Sequence, residues 1–187
     1  MRLLILFPLA LLSACAGRPS IYLALAPVPG AVREIGGLPP LAVSSVDIPP
    51  AIDRLHLTSG AAPGALHVAG DSEWAGPLGP MARIVLAQDL AARLPGTTVL
   101  MPGDPLPPGK TISLKVTMQN FMPDADGTVH VTADWSILVA DSAHILAHGR
   151  FARRINGGQT PAAEAQSMSR ALGALADDIA ASLALRP

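Results

Sequence analysis

The chain has 187 residues, of which half are hydrophobic, 3% are aromatic and 14% are charged. That length fits one domain built around a single core. Thirteen basic and fourteen acidic side chains give a formal net charge of −1, so the sequence lacks the basic excess of a nucleic-acid-binding protein.

The first segment has the layout of a secretory signal. One cation, Arg2, precedes an apolar run over residues 3–12, as in signal peptides. The run is too short to cross a bilayer, which takes about 20 apolar residues. We therefore expect a signal peptide at residues 1–14, a lipidated tether at 15–20 and a folded domain at 21–187.

The cleavage region resembles that of bacterial lipoproteins. Leu12-Ser13-Ala14-Cys15 is similar to the lipobox, in which diacylglycerol alkylates the cysteine, the peptide is cut before it, and the new amine is acylated. Cys15 is the only cysteine, and the alternative is an ordinary signal peptide in which it stands by chance. Two or more acyl chains make a stable anchor. Ala16 rather than Asp after the cysteine implies, by the same resemblance, sorting to the outer membrane of a Gram-negative bacterium.

Short strands alternate with proline-rich loops in the first half of the chain. Hydrophobic and β-branched residues predict strands at 21–25, 41–48, 52–58 and 97–101, with a turn-rich stretch at 59–80. Helical spacing predicts a helix of about 14 residues before Pro95-Gly96, with an apolar stripe formed by Met81, Ile84, Val85, Leu90 and Leu94.

The second half has the clearest pattern. Apolar and polar residues alternate over 112–119, 129–139 and 145–152, which predicts an antiparallel meander buried on one face. Thr160 and Pro161 then begin a helix. We expect its apolar stripe to pack on the domain's own sheet rather than on a partner; the stripe consists of Met168, Leu172, Leu175, Ile179 and Leu183. The predicted fold class is α+β: a single domain with a mostly antiparallel sheet and two helices packed on one face.

The sequence contains no pattern typical of a catalytic site. The segment Gly70-Asp71-Ser72-Glu73-Trp74 lacks the second glycine of a nucleophile elbow. His144 and His148 are four residues apart, but on a strand this spacing separates them by about 13 Å. We therefore expect exposed histidines rather than a metal site, and a binding or scaffolding protein that is no enzyme and needs no cofactor.

A basic cluster lies at the end of the last predicted strand. It consists of Arg150, Arg153 and Arg154. Solvated cations there would protect the sheet from edge-to-edge pairing. The functional alternative is contact with lipid headgroups or an acidic partner.

Three segments follow the lipobox in a fixed order: Tyr22-Leu23 with Pro27, residues 46–54 and residues 74–78. Together they resemble the PqiC-like family of ABC-type transport auxiliary lipoproteins, and Tyr22-Leu23 followed by Pro27 is similar to that family's opening strand. Residues 46–54, Val-Asp-Ile-Pro-Pro-Ala-Ile-Asp-Arg, resemble its strand, proline and Leu-Asp-Arg element. Residues 74–78, Trp-Ala-Gly-Pro-Leu, resemble its Trp-Ala-Glu-Pro-Leu segment before a helix. An aromatic residue usual near Ala51 is missing, and Gly76 stands where the family commonly has an acid.

The resemblance implies a periplasmic accessory subunit that docks or bridges an MCE-domain protein and the ABC or integral membrane components of a phospholipid transport system. It makes Asp53, Arg54 and Trp74 candidate partner contacts. For Trp74 the alternative is a buried loop anchor; for Asp53 and Arg54 it is an intramolecular ion pair or a turn contact. Competing roles are a solitary lipid- or peptide-binding envelope lipoprotein and an outer-membrane assembly factor. A homo-oligomer is compatible with the sequence, which does not specify the number of subunits.

Overall fold

The computed structural model describes residues 20–140, 142 and 144–185, so the predicted signal peptide and Cys15 lie outside the described residues. Ten elements follow one another along the chain. They are β1 (Ile21–Leu23), β2 (Leu41–Asp47), β3 (His56–Ala62), β4 (Ala65–Trp74), α1 (Leu78–Arg93), β5 (Val99–Leu100), β6 (Ile112–Pro123), β7 (Val129–Val139), β8 (Ile145–Ile155) and α2 (Pro161–Ala184).

The predicted meander forms most of a five-stranded sheet with the order β5-β2-β6-β7-β8. Strands β6, β7 and β8 pair antiparallel, as expected. Strand β2 joins in parallel beside β6 and carries the short β5 on its other side. The α+β fold class is therefore confirmed, with mixed sheets in which the longest pairings are antiparallel.

Both helices pack on the apolar face of this sheet and against each other. Helix α2 begins as predicted: Thr160 is the N-cap, its side chain accepts a hydrogen bond from the Ala163 amide, and Pro161 occupies the first turn. All five residues of its predicted stripe are buried. The stripe therefore belongs to the core of the domain.

Helix α1 begins at Leu78, three residues before the predicted stripe starts. The prediction was wrong for Ile84, whose side chain is 44% exposed. The buried face contains Ala82 and Leu86 instead. Ile84 is left on the surface.

The expectation of a turn-rich stretch at 59–80 was wrong, because residues 56–74 form the β3–β4 hairpin. Gly64 in its turn has a φ of +78°, which glycine adopts without strain. With β1, the hairpin makes a second sheet of order β1-β4-β3. The strand predicted at 52–58 begins only at His56, since Ile52 and Asp53 donate to the Pro49 carbonyl in a turn. Alanine and glycine gave this hairpin little strand signal.

A buried ionic network fastens the segment after β1 to both helices. The Arg93 guanidinium donates to Asp177 Oδ1 over 2.6 Å, to the Val28 carbonyl over 3.0 Å and to the Asp89 carbonyl. Asp89 Oδ1 accepts from the Val28 amide at 2.7 Å. Burial raises the pKa of Asp89, against the lowering effect of the Val28 hydrogen bond and the Arg93 charge.

Candidate partner-contact site

Asp53 lies at the N-terminus of helix α1. The N-cap residue of that helix, Pro77, offers no side-chain hydrogen bond. Asp53 Oδ1 instead accepts from the Gly79 amide at 3.3 Å, and a carboxylate is favourable at this end of a helix. Asp53 is exposed to solvent. Its hydrogen bond to Gly79 also helps to fix the start of α1.

Arg54 follows in the same loop and is exposed to solvent. Its Nε donates to the Ala51 carbonyl at 3.0 Å, which is a contact within the turn. This hydrogen bond holds the guanidinium against the loop, while the side chain stays exposed to solvent. Leu55, the next residue, is also exposed, so this loop presents a cation beside an apolar side chain.

Trp74 has a different environment from the two loop residues. Its side chain is 1% exposed and lies in the core at the end of β4. Its amide donates to the Leu55 carbonyl at 2.7 Å, which ties the end of β4 to the loop that carries Arg54. The indole thus has the position of a core anchor, and the contact surface proposed below does not include it.

A groove runs between the C-terminal end of β2, the loop with Asp53 and the first turns of α1. We call it the β2–α1 groove; it has a volume of about 370 Å³, and its walls include Asp47, Asp53, Arg83, Ile84 and Pro102. Arg83 is held in place because its Nε donates to the Val43 carbonyl at 2.7 Å. The groove therefore combines fixed charges of both signs with the exposed Ile84.

The basic cluster lies on β8, which is an edge strand of the five-stranded sheet. Arg150 Nε lies 2.8 Å from Asp134 Oδ1. The hydrogen bond from Arg150 lowers the pKa of Asp134, and the same bond raises the pKa of Arg150. The Arg153 guanidinium stands 5.5 Å from the ring centre of Phe151, within the range of a cation–π contact.

The structure places the candidate residues on two surfaces. Arg153 and Arg154 lie toward the same end of the five-stranded sheet as the C-terminus of β2, because β8 runs in the same direction as β6 and β2. Strands β2 and β8 are three strand spacings apart, or about 14 Å. The basic cluster and the C-terminal end of β2 therefore lie apart on the five-stranded sheet.

Sequence reasoning missed Ile84 as an exposed residue, and it missed the β3–β4 hairpin. Residues 55–70 contain no Asp, Glu, Lys or Arg, but a lack of charge does not distinguish a strand from a turn. The small residues of this run have low strand propensity, so the sequence predicts turns there.

The described ranges contain no group of three or more His, Cys, Asp or Glu side chains that could bind a metal ion. Within the same ranges, no helix has both the length and the apolar composition needed to traverse a bilayer. His144 and His148 are both exposed, as predicted.

Comparisons with known proteins identify the family. The model of the family described as "ABC-type transport auxiliary lipoprotein component" matches residues 23–180. No curated protein matches the chain in sequence. A crystal structure of an uncharacterized protein aligns with a TM-score of 0.62 at 20% identity and covers 89% of this chain and 97% of its own. The crystal structure of a Xanthomonas campestris protein of the DUF330 family aligns with a TM-score of 0.59 at 17% identity, over 86% and 93% of the two chains.

These two structures share the fold with this chain. The family match extends from β1 to within α2 and includes both sheets. The chain therefore belongs to the family of ABC-type transport auxiliary lipoprotein components.

Proposed function

We propose that this protein is a lipid-anchored periplasmic accessory subunit of an MCE/ABC-type phospholipid transport system. In this role it docks or bridges other components and carries out no reaction of its own. The family match over residues 23–180 is the observation that supports this proposal most directly.

Cys15 is the attachment point in this proposal. Acylation of its thiol and of the new amino group gives a durable anchor, since stable membrane binding takes two or more chains. Ala16 favours the outer membrane, with the domain facing the periplasm. The tether then leaves the folded domain close to the membrane surface.

The distribution of apolar surface favours docking over a carrier role. The helical stripes and the apolar face of the meander pack into one core. A lipid carrier would need several hundred cubic ångströms of mostly apolar wall. The β2–α1 groove is lined by Asp53 and Arg83 as well as by apolar groups, and the larger groove of about 990 Å³ beside β3 and β4 is lined by Asp71, Asp124 and Glu164. Charged walls of this kind suit a protein surface better than an acyl chain.

The contact surface that we propose consists of Arg54, Leu55 and Ile84. Ile84 lines the β2–α1 groove, and Arg54 and Leu55 directly follow Asp53, which also lines it. Leu55 and Ile84 are 56% and 44% exposed. Arginine is enriched among the residues that dominate protein interfaces, and the two exposed aliphatic side chains add apolar area to the surface. Asp53 forms part of the groove wall, but its bond to α1 makes it a poor probe of binding alone.

A pull-down of the MCE-domain protein encoded in the same genome tests this surface. We expect Arg54→Glu and Ile84→Asp to reduce recovery of the MCE protein. The first substitution reverses a charge in the proposed contact, and the second introduces one. Melting curves should stay close to those of the wild type, since substitutions at exposed sites usually change stability by less than about 0.5 kcal/mol.

Matched controls come from the end of the five-stranded sheet opposite the C-terminus of β2, where Lys110 precedes β6 and Ile145 begins β8, and both are exposed. Lys110→Glu and Ile145→Asp introduce the same changes away from the groove and should leave recovery unchanged. Equal recovery with all four variants would remove the groove from the proposal. Stoichiometric phospholipid in the purified protein would favour the solitary carrier instead.

A further inference from the structure

The β3–β4 hairpin projects as an uncharged arm. We define the arm as residues 59–70, of which 61–68 are exposed without interruption. Its sequence contains no Asp, Glu, Lys or Arg. Leu66 and Val68 are each 43% exposed. A hairpin that exposes aliphatic side chains and has no Asp, Glu, Lys or Arg is suited to contact with another apolar phase.

The direction of the arm follows from the pairing of β1 with β4. The two strands are parallel, and Ile21 is opposite Ser72. Leu66 precedes Ser72 by six residues of the same strand, which is a distance of about 20 Å. The arm therefore extends beyond the start of β1, on the side from which the chain enters that strand.

The proposed lipid anchor lies within the same reach. Cys15 precedes Ile21 by six residues, so the two Cα atoms can be at most about 21 Å apart. A membrane that holds the acyl chains of Cys15 must thus be close to the start of β1. An arm of about 20 Å that extends beyond that point can reach the same surface.

The start of β1 has side chains suited to a membrane interface. Tyr22 is 70% exposed and Ile21 is 49% exposed. Tyrosine is enriched where a membrane meets water, because its ring is apolar and its hydroxyl remains hydrated. Exposed apolar side chains thus occur both at the start of β1, next to the anchor, and on the arm.

The charged groups beside the arm are of both signs, with an excess of acidic ones. Asp124 and Asp126 line a groove with residues 60–66, and Glu164 lines another with His67. Asp124 Oδ2 is 2.8 Å from His130 Nε2, and His130 is opposite Arg154 on β8. Since the groups beside the arm have no basic excess, contact with a bilayer would not depend on anionic lipid.

We propose that residues 59–70 lie in the interfacial layer of the membrane to which Cys15 is attached. The domain then has two contacts with the bilayer, the acyl chains and the arm, and these together fix its orientation. This inference rests on the lipid anchor of the proposed function.

An environment-sensitive fluorophore on the arm tests the inference in the full lipidated protein. The mature wild-type protein has no free thiol if Cys15 is acylated, so Leu66→Cys provides a single labelling site. The labelled lipoprotein is reconstituted into phosphatidylethanolamine and phosphatidylcholine vesicles with nitroxide lipids. Leu106→Cys is the control, because Leu106 is also exposed. It lies in the loop that leads into the start of β6, whereas the arm lies beside Asp124, just after the end of β6.

We expect the fluorophore at Leu66 to shift to the blue and to be quenched by nitroxides near the headgroups, while the fluorophore at Leu106 stays unquenched. Added phosphatidylglycerol should leave this difference unchanged. Equal quenching at both positions would overturn the inference. The Leu66→Cys label can also be measured in lipid-free protein that carries Cys15→Ser. A blue shift there that increases with protein concentration would overturn the inference, because the arm would then contact a second copy.

The same labelling distinguishes failure of the anchor from failure of the arm. If Cys15 is not acylated, Leu66→Cys takes up two fluorophores per chain and the wild type takes up one. That result would remove the proposed anchor, whatever the quenching shows. One fluorophore per chain without quenching at Leu66 would leave the anchor in place and refute only the arm.

Discussion

Arg93 is the residue whose loss should harm the folded domain most clearly. Its side chain is 1% exposed, and it compensates the equally buried Asp89 while donating to the Val28 carbonyl. Arg93→Met keeps much of the apolar stem but removes these contacts and leaves the Asp89 carboxylate without a cation. Removing one partner of a buried pair costs about 3–5 kcal/mol, out of a total stability of about 5–15 kcal/mol for a domain.

The effect of pH follows from the raised pKa of Asp89. A carboxyl with a higher pKa in the folded state binds more protons there than in the unfolded state, so stability falls as pH rises from 3.8 through the folded-state pKa. Arg93 lowers the pKa of Asp89 in the folded state. Without Arg93 that pKa is higher, so the pH range over which stability is lost reaches higher values. We therefore expect Arg93→Met to lose more stability at pH 8 than at pH 5.

Urea unfolding followed by far-UV circular dichroism measures both effects, with the chain produced from residue 15 onward and Cys15→Ser. Arg150→Met is the matched control, because Arg150 also pairs with an aspartate but is 74% exposed, and exposed pairs contribute little. Adding Asp89→Asn to Arg93→Met should restore part of the lost stability, since the unpaired charge is then absent. A loss below about 1 kcal/mol for Arg93→Met at pH 8 would refute the argument from burial, as would a loss that is the same at both pH values.

Three further substitutions test other parts of the structure. Thr160→Ala removes the N-cap of α2 and should lower the free energy of unfolding by about 1 kcal/mol, whereas Thr160→Ser should retain most of it; equal melting points for all three proteins would contradict the cap. Gly127→Ala should cost at least about 2 kcal/mol in urea unfolding, because Gly127 has a φ of +80° and an added methyl group would collide with the Gly158 carbonyl; a wild-type midpoint would argue against this turn. Cys15→Ala should leave the precursor uncleaved and the protein without labelling by a palmitate analogue, and continued labelling would exclude the proposed attachment.

The sequence alone predicted those parts of the fold that depend on neighbours along the chain. The strands β6, β7 and β8 could be predicted because alternation with period two is a local pattern, and hairpin turns join them in order. Helix α2 could be predicted because its cap and its apolar stripe lie within one segment. The family resemblance was confirmed by the match over residues 23–180, and the lipobox at Cys15 stays a prediction.

The tertiary structure decided what depends on residues far apart in sequence. Parallel insertion of β2 between β5 and β6 follows from contacts that no periodicity records. The Asp53 bond to Gly79 spans 26 residues, and the Arg93 bond to Asp177 spans 84. Trp74 is buried in the core, whereas Ile84, which the sequence pattern assigned to the buried stripe, is exposed. Sequence periodicity gives the faces of an element, but the elements that cover those faces are determined only when the chain packs.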